Sequence, residues 1–303
     1  MTRSRTLLLT MGLCALMLLV ATDARATLVA YWSFDNVAGG STPDLVGGNN
    51  ATVVGNPVLS AGVFGNALDF DGNDYLTHAF KVNRSGPFTI AHWLRPQDIA
   101  SRAGAIGYYE SNGTGPNYNG FNAPSPNLEM HTGLARPADG TDTTNYPHLV
   151  GLPAAAARWW FILQDGNAGT PNQSGFNQLN MVGGAAVEDT WTHVALTKTA
   201  AGVFTLYENG IAVHTVDTVA QGITFTGIPT TTSHIGVHGD PFTPTTPARF
   251  WSGLMDDLAI YDTALSPQEI RGIMANGVPE PSSMVLLVAG GLVAFACRKR
   301  WRG

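Results

Sequence analysis

The chain has almost no cysteine. Cys14 and Cys297 are the only two in 303 residues, and each sits in an apolar run at one end. No disulfide can therefore staple the roughly 250 residues between them, and their stability has to come from a core. Charge is also scarce, at 13% of the chain, which excludes a long charge-laced helix or a polyelectrolyte tail. Basic residues are the scarcer sign. Setting aside residues 1–26 (three arginines, one aspartate) and 278–303 (four basic residues, one glutamate) leaves 9 Lys+Arg against 20 Asp+Glu, a net charge of about −11. That surface excludes nucleic acid and anionic lipid as partners and suits divalent cations. Nucleophile-elbow and phosphate-loop patterns are absent, and the eight histidines form no compact zinc motif. Apolar runs long enough for a membrane occur only at the two ends.

Those ends carry matching signals. Arg3 and Arg5 precede the apolar stretch Leu7–Val20, and Ala24-Arg25-Ala26 is an A-x-A site. Residues 1–26 thus read as a signal peptide cut between Ala26 and Thr27. At the other end, Val278-Pro279-Glu280-Pro281 is followed by an apolar segment, about 283–297, and then by Arg298, Lys299, Arg300 and Arg302. The prolines block helix propagation and keep the chain before the segment extended. The run is short for a helical span, which takes roughly 20 residues; snorkelling basic side chains extend it. The basic cluster belongs on the cytoplasmic side, so the residues before it lie outside the inner membrane. Motif, apolar run and basic cluster, in this order, resemble the PEP-CTERM sorting signal of Gram-negative bacteria. The resemblance implies an exosortase as processing partner and a transient membrane anchor. It also implies a cell-surface or extracellular-matrix destination once the tail is removed.

Residues 27–277 read as one β domain. Gly, Thr, Asn and Pro are plentiful, as many short strands joined by turns require. Segments 28–34, 88–94, 192–199, 203–208, 211–217 and 255–261 are β-prone, several with period-two alternation. Asn209-Gly210 between two of them predicts a two-residue hairpin turn. One helix is predicted: Ser266-Pro267-Gln268-Glu269 is a capping box with proline at the first helical position, and Gly277 is the stop. Residues 100–184 are rich in Gly, Pro and Asn and read as long loops with strands near 105–109 and 159–163.

In order along the chain, YWSFD (31–35), ALDFDGNDYL (67–76), WTHVALTKT (191–199), LYENGIAV (206–213) and GLMDDLAIYDTALSPQEI (253–270) resemble a bacterial LamG-like domain of the concanavalin A-like lectin/glucanase superfamily. The resemblance implies an all-β jelly-roll sandwich of two antiparallel sheets, with the first and last strands close together. It also implies a choice of roles. Glucanases of this fold use a Glu-x-Asp-x-x-Glu strand motif, with two carboxylates flanking the scissile bond, and no such run is present. The reading is therefore a non-enzymatic domain that binds an extracellular polysaccharide or a surface protein, in adhesion or in a matrix. The competitors are a glycan-active hydrolase of the same fold and a structural matrix protein without a specific ligand.

Candidate site residues follow from chemistry. Strict alternation in 255–261 places Asp256 on the face of Leu258 and Ile260, where a carboxylate needs a partner. Asp35 ends the first strand, which lies near the last. A structural Ca2+ shared by Asp35 and Asp256 satisfies both, since calcium prefers hard oxygen ligands; the alternative is that both accept backbone N–H bonds in capped turns. Asp69 and Asp71 point together but read as turn chemistry. Tyr109, Tyr118 and Trp160 stand among Gly, Asn and Pro in the divergent segment and are the candidate ligand-binding rings, because sugars stack on aromatic faces. The alternative for these rings is packing of loops onto the sandwich.

Overall fold

A computed structural model describes residues 26–99, 106–111, 129–135, 157–165, 177–222, 225, 233–237 and 250–279. Residues 1–25, on which the signal-peptide expectation falls, Tyr118, Glu280, Pro281 and the apolar tail lie outside the described residues. Among the described residues no helix is long and apolar enough to cross a membrane.

The architecture is a sandwich of two antiparallel sheets. Strands are numbered along the chain. The first sheet runs in the order β14 (Ile211–Asp217), β13 (Val203–Glu208), β12 (Thr192–Lys198), β7 (Phe88–Pro96), β16 (Ser252–Tyr261), β5 (Asn66–Asp71), β4 (Val58–Ala61), with β1 (Leu28–Trp32) also paired to β16. The second runs β11 (Asn177–Ala185), β10 (Arg158–Asp165), β9 (Glu129–Ala135), β8 (Ile106–Ser111), β15 (Ser233–Ile235), β6 (Tyr75–His78), β3 (Ala51–Val54), β2 (Ser41–Thr42). Alternating residues of both sheets build the core between them. Trp32, Leu68, Phe70, Ile90, Leu94, Tyr108, Trp159, Phe161, Leu196, Phe204 and Trp251 are all buried there. Burial of such side chains stabilises by about 1.5–3 kcal/mol each, which is what a domain without disulfides relies on.

The hairpin between β13 and β14 turns at Asn209 (φ 49°) and Gly210 (φ 75°), the positive pair that a type I′ turn requires. The helix α1 (Pro267–Asn276) carries the expected capping box: Glu269 N–H donates to Ser266 Oγ at 3.3 Å, and Ser266 N–H donates to Glu269 Oε2 at 2.7 Å. Its buried Ile270 joins Tyr31, Ala91, Ala195, Tyr207, Ala259, Tyr261, Leu265 and Val278 in a second, smaller apolar cluster. The helix thus covers the outer face of the first sheet.

One strand departs from strict alternation. In β16, Met255 pairs with Leu94 and Asp256 with Trp93, but Ala259 is the next residue to pair, with Ala91. Asp257 takes φ 52°, so a bulge inserts one residue. Met255, Leu258 and Ile260 all reach the inner core. Asp256 therefore does not share the face of Leu258 and Ile260, which corrects the sequence expectation. The bulge also hands the edge of β16 from β5, which pairs with 252–255, to β1, which pairs with 258–261.

Candidate functional site

Two places gather polar chemistry: the bulge of β16 and the outward face of the second sheet.

At the bulge, both carboxylates of the expected pair are held by one loop. Val63 N–H and Phe64 N–H donate to Asp256 Oδ2 at 2.7 and 3.1 Å, and Asn66 N–H donates to Asp35 Oδ1 at 2.7 Å. The loop is glycine-lined of necessity. A Cβ on Gly62 would lie 2.4 Å from Asp256 Oδ2, and one on Gly65 would lie 2.1 Å from Asp35 Oδ1. Asp256 is fully buried, and its Oδ1 has no hydrogen-bond partner. Burial pushes its carboxyl up to about 7, with Asp257 and Asp35 adding repulsion against the backbone donors that oppose it. Neighbouring Asp257 accepts a bond from the Tyr31 hydroxyl. Asp35 and Asp256 thus meet the same loop, as the shared-site reading requires, but through backbone N–H donors. Among the described residues no group of three or more His, Cys, Asp or Glu side chains could hold a metal ion. A calcium ion prefers six to eight oxygens; here the loop takes Asp256 Oδ2 and Asp35 Oδ1, while Asp256 Oδ1 has no partner. Asp69 and Asp71 lie on the outer side of β5, and Asp71 Oδ1 accepts from Asn73 N–H at 3.1 Å, which is turn chemistry.

The second sheet turns a different surface outward. Its inner positions are core residues: Met181, Phe161, Leu163, Met130, Tyr108, Ile235, Leu76 and Ala51. The residues between them form one register row across seven strands. Asn180 pairs with Ile162, Ile162 with His131, His131 with Tyr109, Tyr109 with His234, His234 with Thr77 and Thr77 with Thr52. Neighbouring strands are about 4.8 Å apart, so the row is on the order of 29 Å long. Beside it the Tyr75 ring lies 5.9 Å from His234 and 6.2 Å from Phe250, centroid to centroid. Tyr75 and Ile162 are buried, His234, Thr77, Asn180 and Phe250 are half-buried and Thr52 is exposed.

Of the three sequence-selected rings, Tyr109 takes a register position in the middle of this row. Trp160 lies on the same face but is only 1% exposed. The expectation that it offers an open ring gives way to the packing alternative: Trp159 enters the core, and Trp160 is buried on the other side. Sequence reasoning missed Tyr75, His234 and Phe250. The pattern YLTH, with Leu76 and His78 turned inward, carried the signal for Tyr75, but the residue was counted among the sandwich blocks.

Beneath the row, on the inner side of β8 and β15, lies a buried polar network. Tyr108 OH and Val82 N–H both donate to Glu110 Oε1, Arg84 Nη2 lies 3.5 Å from Glu110 Oε2, and Lys81 Nζ donates to Ser233 Oγ. Burial raises the Glu110 carboxyl against the pull of Arg84, and burial lowers Lys81 to about 8. The network ties the segment 80–84 to the sheet and fixes the platform from below. Three further glutamates are engaged by the fold. Glu188 accepts from Ile99 N–H at 3.1 Å, Glu208 from Gly184 N–H at 2.7 Å, and Glu269 caps the helix. His92, at the sandwich interior, lies 3.1 Å from Thr132 Oγ1, the satisfied sheet role expected of it.

Comparison with known proteins supports both sequence resemblances. The family described as the concanavalin A-like lectin/glucanases superfamily matches residues 70–271, and the PEP-CTERM protein-sorting motif matches residues 277–300. No curated protein matches the sequence. Among solved structures, domain 4 of AbnA, a GH43 extracellular arabinanase from Geobacillus stearothermophilus, in complex with arabinotriose, is 18% identical. That alignment has a TM-score of 0.52 and covers 82% of this chain and 98% of that one. The binding domain of Paraclostridial Mosquitocidal Protein 1 is 13% identical with a TM-score of 0.52, over 81% of this chain and 51% of that one. The chain therefore spans about half of that toxin domain, and at these identities the likeness is one of fold.

Proposed function

The chain belongs to the concanavalin A-like lectin/glucanases superfamily, and from that premise we propose that it is an exported, surface-sorted binding protein whose second sheet takes a carbohydrate chain. The reading includes removal of residues 1–26 and of the tail near Pro-Glu-Pro. It places the mature domain at the cell surface or in an extracellular matrix, in adhesion or recognition without catalysis.

The observation that carries the proposal is the β15–β6–β3 end of the row, where half-buried His234, Thr77 and Phe250 and exposed Thr52 gather beside the buried Tyr75 ring. Sugar rings stack on aromatic faces while their hydroxyls exchange hydrogen bonds with Asn, Thr and His side chains. The solved arabinanase domain with arabinotriose supports a glycan over a protein as the ligand class. The engagement of Glu110, Glu188, Glu208 and Glu269 by structural partners, with no Glu-x-Asp-x-x-Glu run in the sequence, supports binding over hydrolysis.

A glycan array probed with residues 27–278 tests the proposal. Binding to one class of polysaccharide, lost on Phe250→Ala with an unchanged circular-dichroism spectrum, is the expected result. Release of reducing sugar from the best array hit would replace the binding reading with the hydrolase. No binding to any glycan would leave a protein ligand or a purely structural role.

A further inference from the structure

The sorting motif begins inside the fold. The match to the motif starts at residue 277, yet Gly277 and Val278 belong to the domain. Val278 is only 9% exposed and packs in the apolar cluster under α1 with Leu265, Ile270 and Tyr31. Gly277, at φ 77°, passes over the Phe64 ring so closely that a Cβ there would lie 3.4 Å from it. Phe64 is itself held by its N–H bond to the buried Asp256 carboxylate. Asp256, Phe64, Gly277 and Val278 thus form a chain of contacts ending one residue before Pro279, which is exposed. No spacer separates the last packed side chain from the motif. Proteases act on accessible, locally opened chain, and their rate follows the population of the open form when opening is fast.

We propose that the fold governs removal of the tail: Val278 is a clasp, and the processing enzyme gains the residues on the amino side of Pro-Glu-Pro only when Val278 leaves its packing site. The proposal rests on the reading that the tail is cut near Pro-Glu-Pro. It makes processing a report on folding, because the clasp is complete only when β1, β16 and α1 are assembled.

Two measurements on the full chain test it. In a host carrying an exosortase, conversion to the shorter form is followed by intact mass. In detergent micelles, cutting between Gly277 and Met284 by a broad-specificity protease is followed by mass. Val278→Ser keeps Pro279, Glu280 and Pro281 and removes the apolar anchor. Inserting five Gly and Ser residues after Val278 leaves the anchor in place and moves the motif away from the domain. Val278→Ser is expected to be cut roughly tenfold faster than the parent in both settings, the factor that about 1.4 kcal/mol of lost packing corresponds to, and the insertion variant at least as fast, because its motif is reached without opening the anchor. An unchanged rate in the micelle assay, or slower cutting of the insertion variant in cells, overturns the clasp. A parent chain that keeps its tail in cells refutes the sorting reading instead, and the micelle assay still decides the clasp. Should Val278→Ser fail to fold, the insertion variant, which touches no core residue, carries the test.

Discussion

Ionising Asp256 should destabilise the domain, and the effect can be isolated. Its carboxyl is buried, and its folded-state value is pushed from 3.8 to about 7. A group raised in this way binds its proton more tightly in the folded state. Its stabilising contribution is complete below about pH 4, shrinks as the pH rises, and is gone above about pH 7. The gap corresponds to on the order of 4 kcal/mol, at 1.36 kcal/mol per pH unit. The buried histidines act in the opposite direction. Burial lowers His92 to about 3 and His193 to about 4, so their contribution is present above about 6.5 and is lost as the pH falls through those values. The parent's own profile therefore mixes the two. The comparison with Asp256→Asn, which keeps an acceptor for the Val63 and Phe64 N–H groups, removes the histidine contribution. Urea unfolding of residues 27–278 in chelator at pH 5, 6, 7 and 8 is the assay. The parent should lose about 2–3 kcal/mol relative to the variant between pH 5 and pH 8. Parallel profiles for the two proteins would refute the reasoning and would show that the carboxylate is ionised in the fold throughout.

The same domain should melt at the same temperature with and without chelator, because the loop N–H groups already hold Asp256 Oδ2 and Asp35 Oδ1. If the two acids held calcium instead, a hundredfold excess over Kd would stabilise by about 2.7 kcal/mol, roughly 5–10 °C in Tm at this size, and Asp35→Asn would abolish the shift. Trp160→Ala should unfold or strongly destabilise the domain, by about 3–5 kcal/mol as for a large buried ring. Tyr109→Ala should instead fold and weaken binding to the best array hit roughly fivefold, or about 1 kcal/mol. Equal melting points for the two variants would reverse the assignment of packing ring and ligand ring.

Much of the first sheet was legible because its strands alternate or carry turn chemistry at their ends. Val203–Glu208, Asn209-Gly210 and Ile211–Asp217 stand in the structure as the sequence implies, and Ser266 with Glu269 closes the capping box as its spacing requires. The bulge at Asp256 and Asp257 was not legible, since the sequence MDDLAIY carries no glycine to mark it and strict alternation gives the wrong face for Asp256. The site was half legible. Tyr109 was chosen for its composition context, which cannot tell an outward sheet position from a loop. Trp160 was chosen on the same grounds, and burial on both faces of β10 defeats any single-strand pattern. Tyr75, His234 and Phe250 come from segments far apart in sequence, and only the pairing of β15 with β6 brings them together.

The second apolar cluster receives more than the end of the domain. Ala26 and Leu28 pack against it beside Val278, and Thr27 and Asp262 exchange bonds at its rim. The chain thus enters and leaves on the outer side of the first sheet, while the register row lies on the outer side of the second. A tether at either terminus holds the molecule in the same pose, with the outer side of the second sheet directed away from whatever it is tied to. Neighbouring copies fixed by their ends would line up as a layer with one chemistry below and another above, without any contact between copies being needed to orient them.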